Sequence, residues 1–143
     1  MPERSPTTSS PAEPQAAPAR PRDLLPHFEV ATLDGRRARY GEIWQRRNLV
    51  LVLLDGAETR EAQRYARRLA ERAADFAAAD TALVCTADPI AGLPSPGVIV
   101  ADRWGEIVHV AAAPAGRLDE LPQVDELLDW VRFVRMQCPE CPP

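Results

Sequence analysis

The sequence has few of the residues that build metal centres and disulfide frameworks. Its 143 residues include three cysteines and two histidines. Three cysteines are too few for a disulfide scaffold, and the odd number leaves at least one thiol unpaired within a monomer. His27 and His109 lie far apart in sequence, and neither has a cysteine or a second histidine beside it. We therefore expect both to be ordinary surface or strand residues, with no metal ion and no cofactor bound.

Long apolar runs and an imbalance of charge are also missing. No stretch reaches the about 20 apolar residues that span a bilayer, and the N-terminus lacks the apolar core of a secretory signal. We therefore expect a cytoplasmic protein that does not contact membranes. The 17 basic and 21 acidic residues are intermixed, with a net charge of −4. This balance gives no indication of a nucleic-acid partner.

Composition divides the chain into one domain and two tails. Residues 1–22 are rich in proline, serine, threonine and alanine and show no apolar periodicity. Such a segment cannot bury enough apolar surface to offset its ordering entropy, so we expect it to be disordered and dispensable for folding. Residues 23–136 have the length and apolar content of a single globular domain. Residues 137–143 form a short C-terminal tail that contains two of the cysteines.

The stretch from residue 48 to residue 76 organises the domain. Leu49 to Leu54 is an unbroken apolar run between Asn48 and an Asp-Gly pair, which is typical of a strand buried on both faces. Apolar residues then recur at helical spacing from Ala62 to Phe76, with arginines and glutamates between them. Thr59 is suited to cap this helix, because its hydroxyl can accept a hydrogen bond from the first turn.

The segment before this stretch predicts a β-hairpin and a helical turn. Apolar and polar residues alternate on both sides of Asp34-Gly35, a tight-turn signal within residues 24–40. Residues 41–46 are expected to form a helical turn with Ile43 and Trp44 directed inward.

The segment after it predicts two more β-units and a final helix. Residues 81–86 form a second apolar run, which should lie parallel to the first strand through a right-handed crossover. Residues 97–111 predict a hairpin around Asp102-Arg103-Trp104-Gly105. Pro122 begins a helix, whose inner face is expected to carry Val124, Leu127, Leu128, Val131 and Val134.

These segments together resemble the thioredoxin superfamily, in the branch of peroxiredoxins of the alkyl hydroperoxide reductase and thiol-specific antioxidant type. The resemblance rests on Pro26-x-Phe28-x-Val30 before the first turn, on the strand-loop-helix of residues 49–76, and on Pro96 followed by the Asp102 to Gly105 turn. It implies an α/β thioredoxin-like fold with a central mixed sheet flanked by helices and preceded by a β-hairpin. It also implies that Pro96 is cis and faces the loop before the helix.

In that family a reactive cysteine, often in a Cys-x-x-Cys pair, stands at the start of this helix. Thr59 and Ala62 have the spacing of such a pair here, and neither is a cysteine. The resemblance implies reduction of peroxides or protein disulfides by thiol chemistry, with a protein thiol or disulfide as the partner. The substitutions predict that this loop, with Pro96, is a degenerate active site.

The three cysteines receive separate interpretations. Cys85 falls in an apolar run, where we expect it to act as a small buried hydrophobe. Cys138-Pro139-Glu140-Cys141 can close a disulfide ring or supply half of a zinc site. The pair follows the C-terminal end of a helix, whose dipole disfavours a thiolate. A redox dithiol, a zinc-bridged dimer and a pair without a defined task therefore remain open.

Two classes of function follow. In the first, the protein is a thiol-dependent oxidoreductase of the antioxidant type, with Cys138 and Cys141 as its catalytic thiols and with weak or lost peroxidase activity. In the second, it is a non-catalytic binding module that uses residues 55–62 and the Pro96 loop as a partner groove. The sequence indicates neither the substrate nor the oligomeric state.

Overall fold

The computed structural model describes residues 18–136. Most of the tail predicted at residues 1–22 and the whole terminal segment with Cys138 and Cys141 therefore lie outside the described residues. The predicted domain boundaries at residues 23 and 136 stay predictions. Within the described range no helix is long and apolar enough to cross a membrane.

Over residues 18–136 the domain is α/β, with a four-stranded mixed sheet, a separate two-stranded hairpin and three helices, as predicted. The main sheet has the strand order β4-β3-β5-β6, and β1 pairs antiparallel with β2. In chain order the elements are β1 Glu29–Ala31, β2 Arg37–Arg39, β3 Asn48–Leu53, α1 Arg60–Glu71, α2 Ala73–Ala78, β4 Thr81–Thr86, β5 Gly97–Ala101, β6 Ile107–Ala112 and α3 Val124–Met136, with 3-10 turns at Tyr40–Glu42 and Leu118–Glu120.

Strand β3 is the centre of the sheet, and all six of its residues are buried. It pairs parallel with β4 and antiparallel with β5. Val50 and Val52 join a core with the three helices, while Leu49 and Leu51 join a second core beneath the N-terminal hairpin. The prediction of a strand buried on both faces is therefore confirmed, and each face is covered by a different part of the chain.

The C-terminal helix packs as the sequence predicts. Leu127, Leu128, Val131 and Val134 of α3 are buried against the sheet. The hydroxyl of Tyr65 on α1 donates to the carbonyl of Pro122, just before α3, with an oxygen–oxygen distance of 2.7 Å. This buried bond fixes the two longer helices to each other on the same face of the sheet.

The prediction of one continuous helix from residue 62 to residue 76 is wrong. Helix α1 ends at Glu71, and Arg72 adopts φ −109° and ψ 18°, outside the helical region. The guanidinium of Arg72 holds this corner, because it pairs with Asp75 at 2.6 Å and with Asp125 of α3 at 2.9 Å. The break lets α2 turn toward the sheet, where Phe76 is only 1% exposed.

The expectation that Trp44 points inward is also wrong. Ile43 is buried as predicted, but Trp44 remains 36% exposed. Tyr40 fills the inner position instead, with 1% exposure, because the 3-10 turn begins at this residue. The indole N–H of Trp44 donates to the Trp104 carbonyl at 3.2 Å, and this bond holds the ring across the surface of the β5–β6 turn.

Residues 19–22 contact the domain through their backbone. The Ala19 N–H donates to the Gly92 carbonyl at 3.1 Å, and the Arg22 N–H donates to the Ile107 carbonyl at 2.7 Å. We predict that a chain beginning at Pro18 unfolds like the full-length protein, whereas a chain beginning at Asp23 loses about 1–3 kcal/mol through these two bonds. Urea unfolding of the three proteins checks this, and equal stability of all three would show that the two bonds contribute nothing.

Candidate functional site

The candidate site is the loop between β3 and α1, together with the loop that precedes β5. Parallel pairing of β3 and β4 brings the carboxyl ends of both strands to the same edge, next to the start of α1. The Asp55 N–H donates to the Ser95 hydroxyl oxygen at 3.1 Å, so the two loops touch directly. The sequence contains no signal for this contact, because a serine before a proline is unremarkable by itself.

Thr59 is the N-cap of α1, as predicted. Its hydroxyl oxygen accepts a hydrogen bond from the Ala62 N–H at 3.1 Å, and its backbone is extended, with φ −72° and ψ 154°. Thr59 is exposed and Ala62 is fully buried. The two positions with the Cys-x-x-Cys spacing therefore carry a capping hydroxyl and a core methyl group.

Loss of this cap should be measurable. We predict that Thr59→Ala lowers the free energy of unfolding by about 1 kcal/mol, because an amide of the first helical turn loses its acceptor. Thr59→Ser retains the hydroxyl and should unfold almost like the wild type. Urea unfolding of the three proteins is the measurement, and an alanine variant as stable as the serine variant would rule out the cap.

The peptide bond between Ser95 and Pro96 is cis, which confirms the expectation from the resemblance. Pro96 is buried, and its carbonyl accepts a hydrogen bond from the Ala113 N–H at 3.2 Å. Because Ser95 also bonds Asp55, the Pro96 loop lies beside the loop that leads to Thr59. The predicted neighbourhood of these two loops is therefore present.

Cys85 is half-buried in β4 and packs against the helix-side core. Burial raises the pKa of the Cys85 thiol to about 12, and the negative charge of Asp34 acts in the same direction. A thiol attacks as its thiolate, so Cys85 is a weak nucleophile near neutral pH. This agrees with its interpretation as a small hydrophobe.

Both histidines lie against aromatic rings. His109 on β6 is half-buried and stacks on Trp130 with ring centroids 4.4 Å apart. Burial lowers the pKa of His109, with a smaller opposing effect from Glu126. His27 is exposed beside the rings of Tyr40 and Trp44. Among residues 18–136 no three histidine, cysteine or acidic side chains come together in a group that could hold a metal ion.

Cys138 and Cys141, the predicted catalytic thiols, lie beyond the described residues, which end with α3 at Met136. Their assignment as catalytic thiols stays a prediction. The described part of the site consists of the capped helix start, the cis-proline loop and the contact between Asp55 and Ser95.

Solved structures share this architecture at low sequence identity. The reduced 2-Cys peroxiredoxin of Plasmodium vivax has a TM-score of 0.65 and 13% identity, over 82% of this chain and 83% of that chain. The mitochondrial 2-Cys peroxiredoxin of Plasmodium falciparum has a TM-score of 0.61 and 13% identity, over 86% and 100%. A thioredoxin-family thiol:disulfide interchange protein of Chlorobium tepidum has a TM-score of 0.55 and 12% identity, over 83% and 99%.

These likenesses define the fold. The chain has a thioredoxin-like fold of the peroxiredoxin kind, with its hairpin, mixed sheet and cis-proline loop in the expected order. No protein-family model and no curated protein sequence matches it. At 12–13% identity the similarity concerns the fold alone, so the function must be argued from the site.

Proposed function

We propose that this protein is a redoxin-like binding module whose loop at residues 55–62 is redox-inert. The observation that carries the proposal is the Thr59 hydroxyl, which caps α1 at the position where the resemblance places a reactive thiol. A threonine hydroxyl lacks the acidity and the soft nucleophilicity of a thiolate. We assign the surface formed by this loop and by exposed Ser95, which precedes the buried cis-Pro96, to partner binding.

The charges around the start of α1 have both signs. Asp55, Glu58 and Glu61 are exposed there, and so is Arg60, which directly follows Thr59. The loop is therefore inert because it has no thiol, while the helix N-terminus would still favour a thiolate placed there.

The absence of redox activity in the loop is tested in a variant that lacks the two terminal thiols. We expect Cys138→Ser/Cys141→Ser protein to consume peroxide no faster than the same protein with Cys85→Ser added. Turnover of peroxide by the double variant at the wild-type rate would contradict both an inert loop and a redox role for the tail.

Adding Thr59→Cys to the double variant tests whether position 59 corresponds to that of the family's reactive thiol, because a helix N-terminus lowers a thiol pKa below the usual value of about 8.5. A restored thiol that titrates at or above that value would contradict the placement.

The binding role needs a test that is independent of thiols. Peptides selected from a random display library on the wild-type protein should lose affinity for Ser95→Arg, which places a long side chain between the two loops. Ala74→Arg, at an exposed position on α2, is the matched control. Selected peptides that bind both variants as well as the wild type would assign them to another surface and contradict the proposed role.

Thiol-disulfide exchange by Cys138 and Cys141 is the second candidate function. It is favoured by the raised pKa of Cys85, which makes that thiol a weak nucleophile near neutral pH and leaves the terminal pair as the candidate thiols. In one cycle a terminal thiolate attacks the partner's disulfide, and the second terminal thiol resolves the mixed disulfide. The pair then holds a disulfide, and the partner has gained two electrons and two protons.

Mass spectrometry distinguishes the states of the terminal pair. A loss of two mass units in the terminal peptide after oxidation, reversed by a dithiol, supports exchange. Zinc retained at one ion per two chains would instead indicate a zinc-bridged dimer and would contradict the redox role. If both terminal thiols stay reduced under oxidising conditions and no zinc is bound, the exchange role and the zinc-bridged dimer are both contradicted. Partner binding then remains as the proposed function.

A further inference from the structure

Within residues 18–136, the outer edge of β4 is open over most of its length. The strand order places β4 at one side of the main sheet, with β3 as its partner. The N-terminal hairpin reaches only the carboxyl end of the strand, where the Leu33 N–H donates to the Cys85 carbonyl at 2.9 Å and Thr32 bridges Thr86. An edge strand with unpaired backbone groups is a template for a further strand.

The direction of the β4 backbone groups follows from two hydrogen bonds to β3. The carbonyl of Asp80 accepts a hydrogen bond from the N–H of Asn48, and the carbonyl of Thr86 accepts one from the N–H of Leu54. The even-numbered residues of β4 therefore direct their backbone groups toward β3. Alternation along a strand then directs the groups of Thr81, Leu83 and Cys85 outward. Of these outward groups, only the Cys85 carbonyl has a backbone partner within residues 18–136.

A groove of about 1380 Å³ runs along this edge, with residues 81–85 as its floor. Its two walls differ in chemistry. Helices α1 and α2 contribute mainly the small side chains of Ala66, Ala70, Ala73 and Ala77 on one side, together with Gln63 and Arg67 of α1. On the other side stand Arg37 and Arg39 of β2 and the pair Arg46-Arg47 that precedes β3.

The groove is cationic on a chain that is acidic overall. Six arginines and three acidic residues of the described range line it, while the net charge of the whole chain is −4. Arg36, Arg37 and Arg39 form ion pairs with nearby carboxylates. The exposed guanidinium groups of Arg46, Arg47 and Arg67 form no ion pair with another residue of the described range.

We propose that the open edge of β4 binds an extended acidic segment of a partner protein, which adds a strand to the sheet. Outward backbone groups of Thr81 and Leu83 pair with the segment, as in other cases of strand addition. Because successive side chains of a strand point to opposite faces, a segment with alternating residues meets both walls. Its small apolar side chains face the alanines, and its carboxylates face Arg46 and Arg47.

Two other occupants fit the groove less well. Single-stranded nucleic acid binds through aromatic stacking as well as charge, and no aromatic residue from the described part of the chain lines the groove. A second copy of the chain, paired edge to edge through β4, would bring two cationic walls together, and like charges across an interface are costly.

The test uses the full chain and a fluorescent eight-residue peptide of alternating glutamate and valine. We expect Arg46→Glu/Arg47→Glu to weaken peptide binding by about tenfold or more, since two attractive contacts become repulsive. Arg64→Glu/Arg68→Glu, on exposed residues of α1 away from the groove, is the matched control and should bind like the wild type. Leu83→Pro should also weaken binding, because it removes an outward N–H from an edge where proline is tolerated.

A peptide of the same composition with four glutamates followed by four valines separates strand addition from simple charge attraction. Weaker binding of this peptide supports the proposal, and equal binding overturns it. No binding of the alternating peptide, or equal weakening by the two charge-reversed variants, also overturns it. The proposal is also overturned if a single-stranded oligothymidylate binds more tightly than the alternating peptide and is weakened by the same variants. A dimer in sedimentation velocity that dissociates with Leu83→Pro assigns the edge to a second copy and overturns it as well.

Discussion

Phe76→Ala is expected to lower the free energy of unfolding by about 3–5 kcal/mol. Phe76 lies on the short helix α2, is 1% exposed, and belongs to the core between the helices and the main sheet. Removing its ring leaves a cavity that the neighbouring strands, packed on both faces, cannot fill by collapse. Since a domain of this size is stable by only about 5–15 kcal/mol, urea unfolding should show a large shift of the midpoint.

Phe133→Ala provides the matched control, because the chemical change is the same. Phe133 lies on α3 and is 50% exposed. Its loss should change the stability by well under half of the Phe76 effect, since little apolar area returns to water. Equal losses for the two variants would contradict the assignment of Phe76 to the core and of Phe133 to the surface.

Gly97→Ala is expected to cost about 3 kcal/mol, at the upper end of the usual range for overpacking. Gly97 begins β5 directly after Pro96 and is buried. A methyl group at this position would stand 2.5 Å from the Pro94 carbonyl oxygen and 2.6 Å from Pro94 Cγ. The nearest atom belongs to the backbone, so the loop before β5 would have to move to admit the methyl group. This movement would also shift Ser95, whose hydroxyl accepts a hydrogen bond from the Asp55 N–H.

Gly41→Ala is the control for this substitution. At Gly41 the nearest atom to an added methyl group is His27 Nδ1 at 4.0 Å, which is ordinary contact. Alanine there should be neutral or should stabilise the protein by up to about 1 kcal/mol, because it restricts the unfolded chain. Thermal and urea unfolding of both variants give the comparison, and a Gly97→Ala protein as stable as Gly41→Ala would contradict the tight approach of Pro94.

Local patterns in the sequence were enough to predict most of the fold. The run from Leu49 to Leu54 indicates a doubly buried strand because a sheet covered on both faces needs apolar residues at every position. The Asp34-Gly35 turn and the capping role of Thr59 depend on local backbone chemistry, which is visible in the sequence. These features concern residues close together in the chain.

The features that sequence reasoning missed depend on residues far apart in the chain. The corner at Arg72, where α1 ends, includes an ion pair with Asp125, which lies 53 positions later. The contact between Asp55 and Ser95 joins residues 40 positions apart. The cationic groove combines arginines of β2, of the segment before β3 and of α1, which are dispersed among acids in the sequence. No local period or motif signals such a juxtaposition.

The central place of β3 has a consequence for biosynthesis. β3 is completed at Leu53, but its antiparallel partner β5 ends about 48 residues later, at Ala101. At a synthesis rate of roughly 5–20 residues per second, one apolar edge of β3 waits about 2–10 s for that partner. During this interval α1, α2 and β4 can already form on its other side. The β5-facing edge of β3 therefore stays unpaired for this interval, and an unpaired apolar strand edge is the part of an incomplete sheet that is prone to aggregation.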